Sequence, residues 1–187
     1  MTKELYISVD IEASGPIPGE YSMLSIGASV IGKAENSFYA ELQPLNENAV
    51  AAAMEVSLLD LKTLEKTGKA PQIAMSEFRD WVQAMAGDRK PVFVGFNASF
   101  DWSFVNWYFH KFLGENPFGF GALDIKAFFM GFSSCMWTQT TSSQLPRQFQ
   151  SDQPATHNAL DDARAQGEIF EKLLKAQGKI ELITKTV

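Results

Sequence analysis

The sequence predicts a mixed α/β fold, a central mixed sheet flanked by helices. Three observations carry this reading. Strand-like segments crowd the first 45 residues, helical periodicity dominates from residue 56 onward, and one short apolar strand, "KPVFVGFN", interrupts the helices. The 187 residues suit one domain with a core of its own, spanning 1–187.

The elements follow in order. "ELYISVDI" reads as a buried strand, and the turn-rich "EASGPIPGEY" ends it. "SMLSIGASVIG" is a second strand. "SFYAELQPL", after a polar break at "KAEN", is a third, so the three form an antiparallel meander. "VSLLDLKTLEKTG" has helical spacing and stops at Gly68. "PQIAMSEFRDWVQAMAG" starts at Pro71 and ends at Gly87, with Ile73, Phe78, Trp81, Val82 and Met85 on its inner face. "KPVFVGFN" is β-branched and aromatic, as a strand buried on both faces is. "ASFDWSFVNWYFHKFLG" is a helix ending at Gly114. "LDIKAFFMGF" is a helix capped by Asp124, and "TTSSQLPRQF" is a short helix or turn. "NALDDARAQGEIFEKLLKAQG" is the last long helix.

Hydrophobic residues make up 45% and charged residues 20%, ordinary for a globular chain. No apolar run is long enough to span a membrane, and the first residues lack the pattern of a signal peptide. Cys135 is the single cysteine, so no internal disulfide forms and a reducing cytoplasm is the expected compartment. The net charge of −6 argues against a protein that coats long nucleic acid through a broad basic surface. A small site gripping one strand end stays open, because bound cations can supply the missing positive charge.

Acids appear in three places where burial should discourage them. Asp10 and Glu12 end the first strand two residues apart, hence on one face. Asp101 follows the buried strand within an aromatic segment, and "HNALDDA" holds His157, Asp161 and Asp162. Each has a bland reading as a solvated strand end, a dipole-favoured early helix acid or a wet helix face. Together they compose a site for divalent metal, since Mg2+ and Mn2+ prefer hard oxygen ligands. Two such ions clamp a phosphodiester, one activating water and the other stabilising the departing oxygen. An imidazole nearby takes the proton from that water.

These motifs resemble the DEDDh class of 3′→5′ exonucleases, of ribonuclease-H-like fold. "VDIEASG", "GFNASFDWSFV" and "HNALDDA" stand in the family's order, and the likeness runs from about residue 5 to residue 175. The stretch "NASFDWSF…NPFGFGALDIKAFFMG" is similar to the ribonuclease T branch, whose dimers trim RNA 3′ ends. The resemblance implies that Asp10, Glu12 and Asp162 hold one Mg2+ or Mn2+ ion. Asp10 bridges to a second ion that Asp101 also touches, and His157 is the general base. It places the backbone of Ala13, Ser14 and Gly15 against the terminal nucleotide, where small residues permit close approach. Met23 and Leu24 fall where family members set apolar side chains against the last bases, and equally suit the core of the second strand. Phe104, three residues from Asp101, faces the same way and is a candidate base platform. His110 and Asp152 receive no role.

The expected activity is release of nucleoside 5′-monophosphates from the 3′ end of single-stranded RNA or DNA, by a homodimer if the branch is a guide. Two alternatives stand beside it. One is a phosphodiesterase acting on short oligonucleotides or small nucleotides, which the low basic charge suits. The other is a catalytically silent nucleic-acid-binding module, which has no physical need of crowded acids.

Overall fold

A computed structural model describes residues 3–153 and 156–178. Five strands form one sheet: β1 (Glu4–Ala13), β2 (Met23–Val30), β3 (Lys33–Glu41), β4 (Lys90–Gly95) and β5 (Ala122–Asp124). Their order is β3-β2-β1-β4-β5. The first three form the expected antiparallel meander, while β4 joins β1, and β5 joins β4, in parallel.

Six α-helices, with three one-turn 3-10 helices (Trp137–Gln139, Ser142–Gln144 and Arg147–Phe149), complete the described chain: α1 (Ala51–Ser57), α2 (Leu61–Thr67), α3 (Pro71–Ala86), α4 (Ser99–Leu113), α5 (Ile125–Ser133) and α6 (Ala159–Ala176). They cover both faces of the sheet. On one face Phe78 of α3 and Phe104, Tyr108 and Phe109 of α4 pack on Val9, Ile26 and Phe93. On the other, Ile125 and Phe129 of α5 and Phe170 and Leu173 of α6 pack on Val94 and Ile31. Each such side chain taken from water contributes about 1.5–3 kcal/mol. Phe93 and Val94 face opposite clusters, so β4 is buried on both sides as its sequence predicts.

The structure differs from the sequence reading at four points. β3 begins inside "KAEN", because it is an edge strand whose first residues face water and tolerate charge. "VSLLDLKTLEKTG" is two helices: Leu58 turns left-handed (φ 56°) and Asp60 recaps the chain by accepting from Thr63 N–H at 2.8 Å. Ile73 is 55% exposed, and Ala74, Met75, Phe78, Val82 and Ala86 form the inner face of α3. β5 is a fifth strand of three residues that ends on the Asp124 cap. Among the described residues no helix is long and apolar enough to cross a membrane.

Candidate active site

The site forms where β1 outruns its parallel neighbour. Pairing of β1 with β4 ends at Ser8↔Val94, whereas pairing with β2 continues to Ala13↔Met23. Tyr6 meets Phe170 of α6 edge-on, and Ser8 lies under Gly167 of α6. Asp10 and Glu12 continue that alternation and so face α6. Both lie towards the carboxyl end of β1, beside the end of its parallel neighbour β4, where ligand crevices of α/β sheets form.

Asp101 arrives from the first turn of α4. Its Oδ1 accepts from the N–H of Ile11 at 3.1 Å, a backbone donor that β4 no longer reaches. The approach is set by Asn97 in the left-handed region (φ 66°) and by Asp124. One Asp124 oxygen accepts from Ala98 N–H at 2.6 Å and the other from Ala127 N–H at 2.7 Å. Asp124 therefore caps α5 as expected and also anchors the lead into α4.

The third segment is the start of α6. Asn158 caps it, its side chain accepting from the N–H groups of Leu160 (3.0 Å) and Asp161 (3.3 Å). Gly27 of β2, paired with Asp10, lets this turn reach the sheet, since a Cβ there would lie 2.3 Å from the Ala159 carbonyl. Ligand atoms of Glu12, His157 and Asp162 all fall within 4.8 Å of one another. His157 is exposed and left-handed (φ 55°). The neighbouring Asp161 turns away: it pairs with Arg164 at 3.7 Å and accepts from the Thr156 hydroxyl at 3.4 Å.

Burial, then repulsion from Asp101, Asp162 and Glu12, holds the Asp10 carboxyl well above the carboxylate range. Glu12 is pushed up to about 7 by burial and then by Asp162. Asp101 is also pushed up to about 7, by burial first and by Glu12 and Asp124, against the lowering bond from Ile11. Crowded carboxylates repel one another, and a bound cation would offset that repulsion. Their hard oxygens suit Mg2+ or Mn2+.

The family described as "Exonuclease" (RNase_T) matches residues 7–170. This chain belongs to the exonuclease family. The exonuclease is 48% identical over 181 residues to the 3′-5′ DNA exonuclease Cap18 of Escherichia coli, covering 96% of this chain and 97% of that one. In fold it is similar to the nuclease domain of 3′hExo, a DEDDh family member bound to rAMP. That likeness has a TM-score of 0.75 and 11% identity, over 94% of each chain. It is also similar to Pop2p of S. pombe in its Mg2+- and Mn2+-bound form, with a TM-score of 0.62 and 13% identity. There 93% of this chain covers 84% of that one. The mixed sheet with flanking helices matches the ribonuclease-H-like exonuclease fold that the sequence predicts.

The residues expected to touch substrate sit differently from the acids. Met23, Leu24 and Phe104 are fully buried and are core side chains in this exonuclease. Phe104 underlies Phe100, whose ring is 5.3 Å away and partly exposed at the surface. Ser14 is buried and closes the loop after β1: its hydroxyl donates to the Asn48 carbonyl (2.8 Å) and accepts from Ser22 N–H (3.0 Å). Gly15 leaves room for the Tyr21 ring, which a Cβ would meet at 2.3 Å, and Ala13 is 6% exposed.

Two residues escaped the sequence reading. Gly27, a glycine inside a strand, carries the ordinary signal of close backbone approach. Gln166, one turn after Asp162, carries none in the sequence.

Proposed function

We propose that this exonuclease removes nucleoside 5′-monophosphates one at a time from the 3′ end of single-stranded DNA. The observation that supports it most is the meeting of Glu12, His157 and Asp162 within 4.8 Å, beside Asp10 and Asp101. Asp10, Glu12, Asp101 and Asp162 would hold two Mg2+ or Mn2+ ions. Those ions, when bound, supply the charge that offsets the carboxylates, activates water and stabilises the leaving oxygen. His157, exposed beside Glu12 and Asp162, accepts the proton of the attacking water. The loop 13–15 and the partly exposed Phe100 are the proposed rest for the last nucleotide, with Met23, Leu24 and Phe104 as the buried floor beneath. A narrow site of this kind admits an unpaired end more readily than a duplex. The preference for DNA rests on the name of the Cap18 relative. A homodimer in a reducing cytoplasm belongs to the same proposal, through the ribonuclease T likeness and the single Cys135. Light scattering tests the dimer.

A degradation ladder tests the activity. 5′-labelled single-stranded DNA and RNA of one sequence, and a dinucleotide, are incubated with Mg2+, Mn2+ or chelator. Stepwise metal-dependent shortening, faster on DNA, is the expected result. Cleavage of the dinucleotide alone supports the small-substrate reading instead, and no cleavage at all contradicts both.

A further inference from the structure

One buried side chain touches all three segments that carry the acids. Gln166 lies a turn beyond Asp162 on α6 and is 4% exposed. Its Nε2 donates to the carbonyl of Val9, the residue before Asp10, at 2.9 Å. Its Oε1 accepts from the N–H of Phe96 at 2.5 Å, where the chain leaves β4 towards Asn97 and Asp101. Extending the Ser8↔Val94 register by one residue pairs Val9 with Gly95. The parallel pattern then calls for a bond from Phe96 N–H to the Val9 carbonyl. The Gln166 amide stands in that rung. An amide is suited to this because it offers an acceptor to one strand and a donor to the other. The next donor along β1, Ile11 N–H, goes to Asp101 instead.

We propose that Gln166 is a positioning residue of the active site: its amide wedges β1 from β4 and fixes the spacing of Asp10, Asp101 and Asp162. The inference rests on the metal-site reading above. The bland alternative is a core glutamine that satisfies two backbone groups and affects stability alone.

Gln166→Met separates the two, since it keeps length and packing and removes both bonds. Three quantities are read on folded protein: Mn2+ affinity by calorimetry with the metal alone, and kcat and KM on single-stranded DNA. Residues that orient metal ligands typically cost 10–100-fold in affinity or activity when changed, so Mn2+ affinity and kcat should each fall by about that factor, with KM moving less than about threefold. Wild-type Mn2+ affinity and kcat in the folded variant overturn the proposal while leaving the metal site standing. A wild-type protein that binds no Mn2+ overturns both. If Gln166→Met does not fold, the same three quantities are read on Gln166→Asn, which keeps the amide and shortens its reach: a fall in Mn2+ affinity and kcat of about 10–100-fold is expected, and wild-type values in the folded variant overturn the proposal.

Discussion

Gly27 faces Asp10 across the β1–β2 ladder, and the backbone of Ala159 and Leu160 occupies the space that a Gly27 side chain would need. The Cβ would come within 2.3 Å of three backbone atoms of the α6 entry, which cannot swing aside as a side chain can. Gly27→Ala should therefore push the start of α6 off the sheet. Overpacking of this kind costs about 1–3 kcal/mol. A displacement of roughly 1 Å at Asp162 should lower turnover by about 100-fold. Chemical denaturation and initial rates on labelled DNA check it, and a folded variant with wild-type rate contradicts the steric reading.

The pH dependence of the metal-free protein should be inverted relative to an ordinary salt-bridged fold. Glu12 and Asp101 titrate near 7 when folded and near their ordinary values of 4.5 and 3.8 when unfolded. The folded state thus holds more protons between about pH 4 and 7, and the contribution of the cluster to stability falls as pH rises through that window. Below it the penalty is absent, and above it the penalty is complete. Thermal melts in chelator at pH 5 and pH 8 check the sign. Adding Mn2+ should raise the melting temperature more at pH 8, where ligands are already deprotonated. A metal effect that is larger at pH 5 contradicts the cluster as the binding site.

His157→Ala should lower turnover by about 10²–10⁴ while Mn2+ affinity stays within roughly tenfold, as loss of a general base does. Paired rate and calorimetric measurements separate base from ligand. A rate loss below about tenfold argues against the proton-accepting role.

Asp124→Asn should weaken the tie between the α4 lead and α5, since two charge-assisted acceptors become one neutral oxygen and an NH2. A loss of about 1–3 kcal/mol in stability is expected, with turnover falling further because Ala98 leads directly to Asp101. Unchanged stability by denaturant titration contradicts the double anchor.

What the sequence revealed about the site is uneven for physical reasons. Asp10 and Glu12 were legible as a pair because strand alternation puts them on one face, and Asp101 and Asp162 joined them through the ordered motifs that resemble the exonuclease class. Asp124 was legible as a cap because an acid just before a helical run has few other uses. Its second bond, to Ala98, was not, because it joins segments 26 residues apart. Met23 and Leu24 read equally as core or platform and Phe104 more as core than platform, and burial decides only once both sheet faces are covered. β5 escaped because a three-residue strand has no period of its own and exists through its pairing with β4. Gln166 escaped because its importance lies in a missing rung between β1 and β4, which no local pattern encodes.

The most direct test replaces one carboxylate by its neutral isostere. Asp10→Asn keeps shape and removes charge from the most strongly crowded acid. Initial rates on 5′-labelled single-stranded DNA are measured across a Mn2+ series for wild type and variant, with melting temperature in chelator at pH 8 as the fold control. A metal cluster predicts near-complete loss of turnover at every Mn2+ concentration. It also predicts a metal-free variant at least as stable as wild type, because a buried charge has gone. Wild-type turnover in Asp10→Asn, or wild-type cleavage that persists in excess chelator, would contradict it.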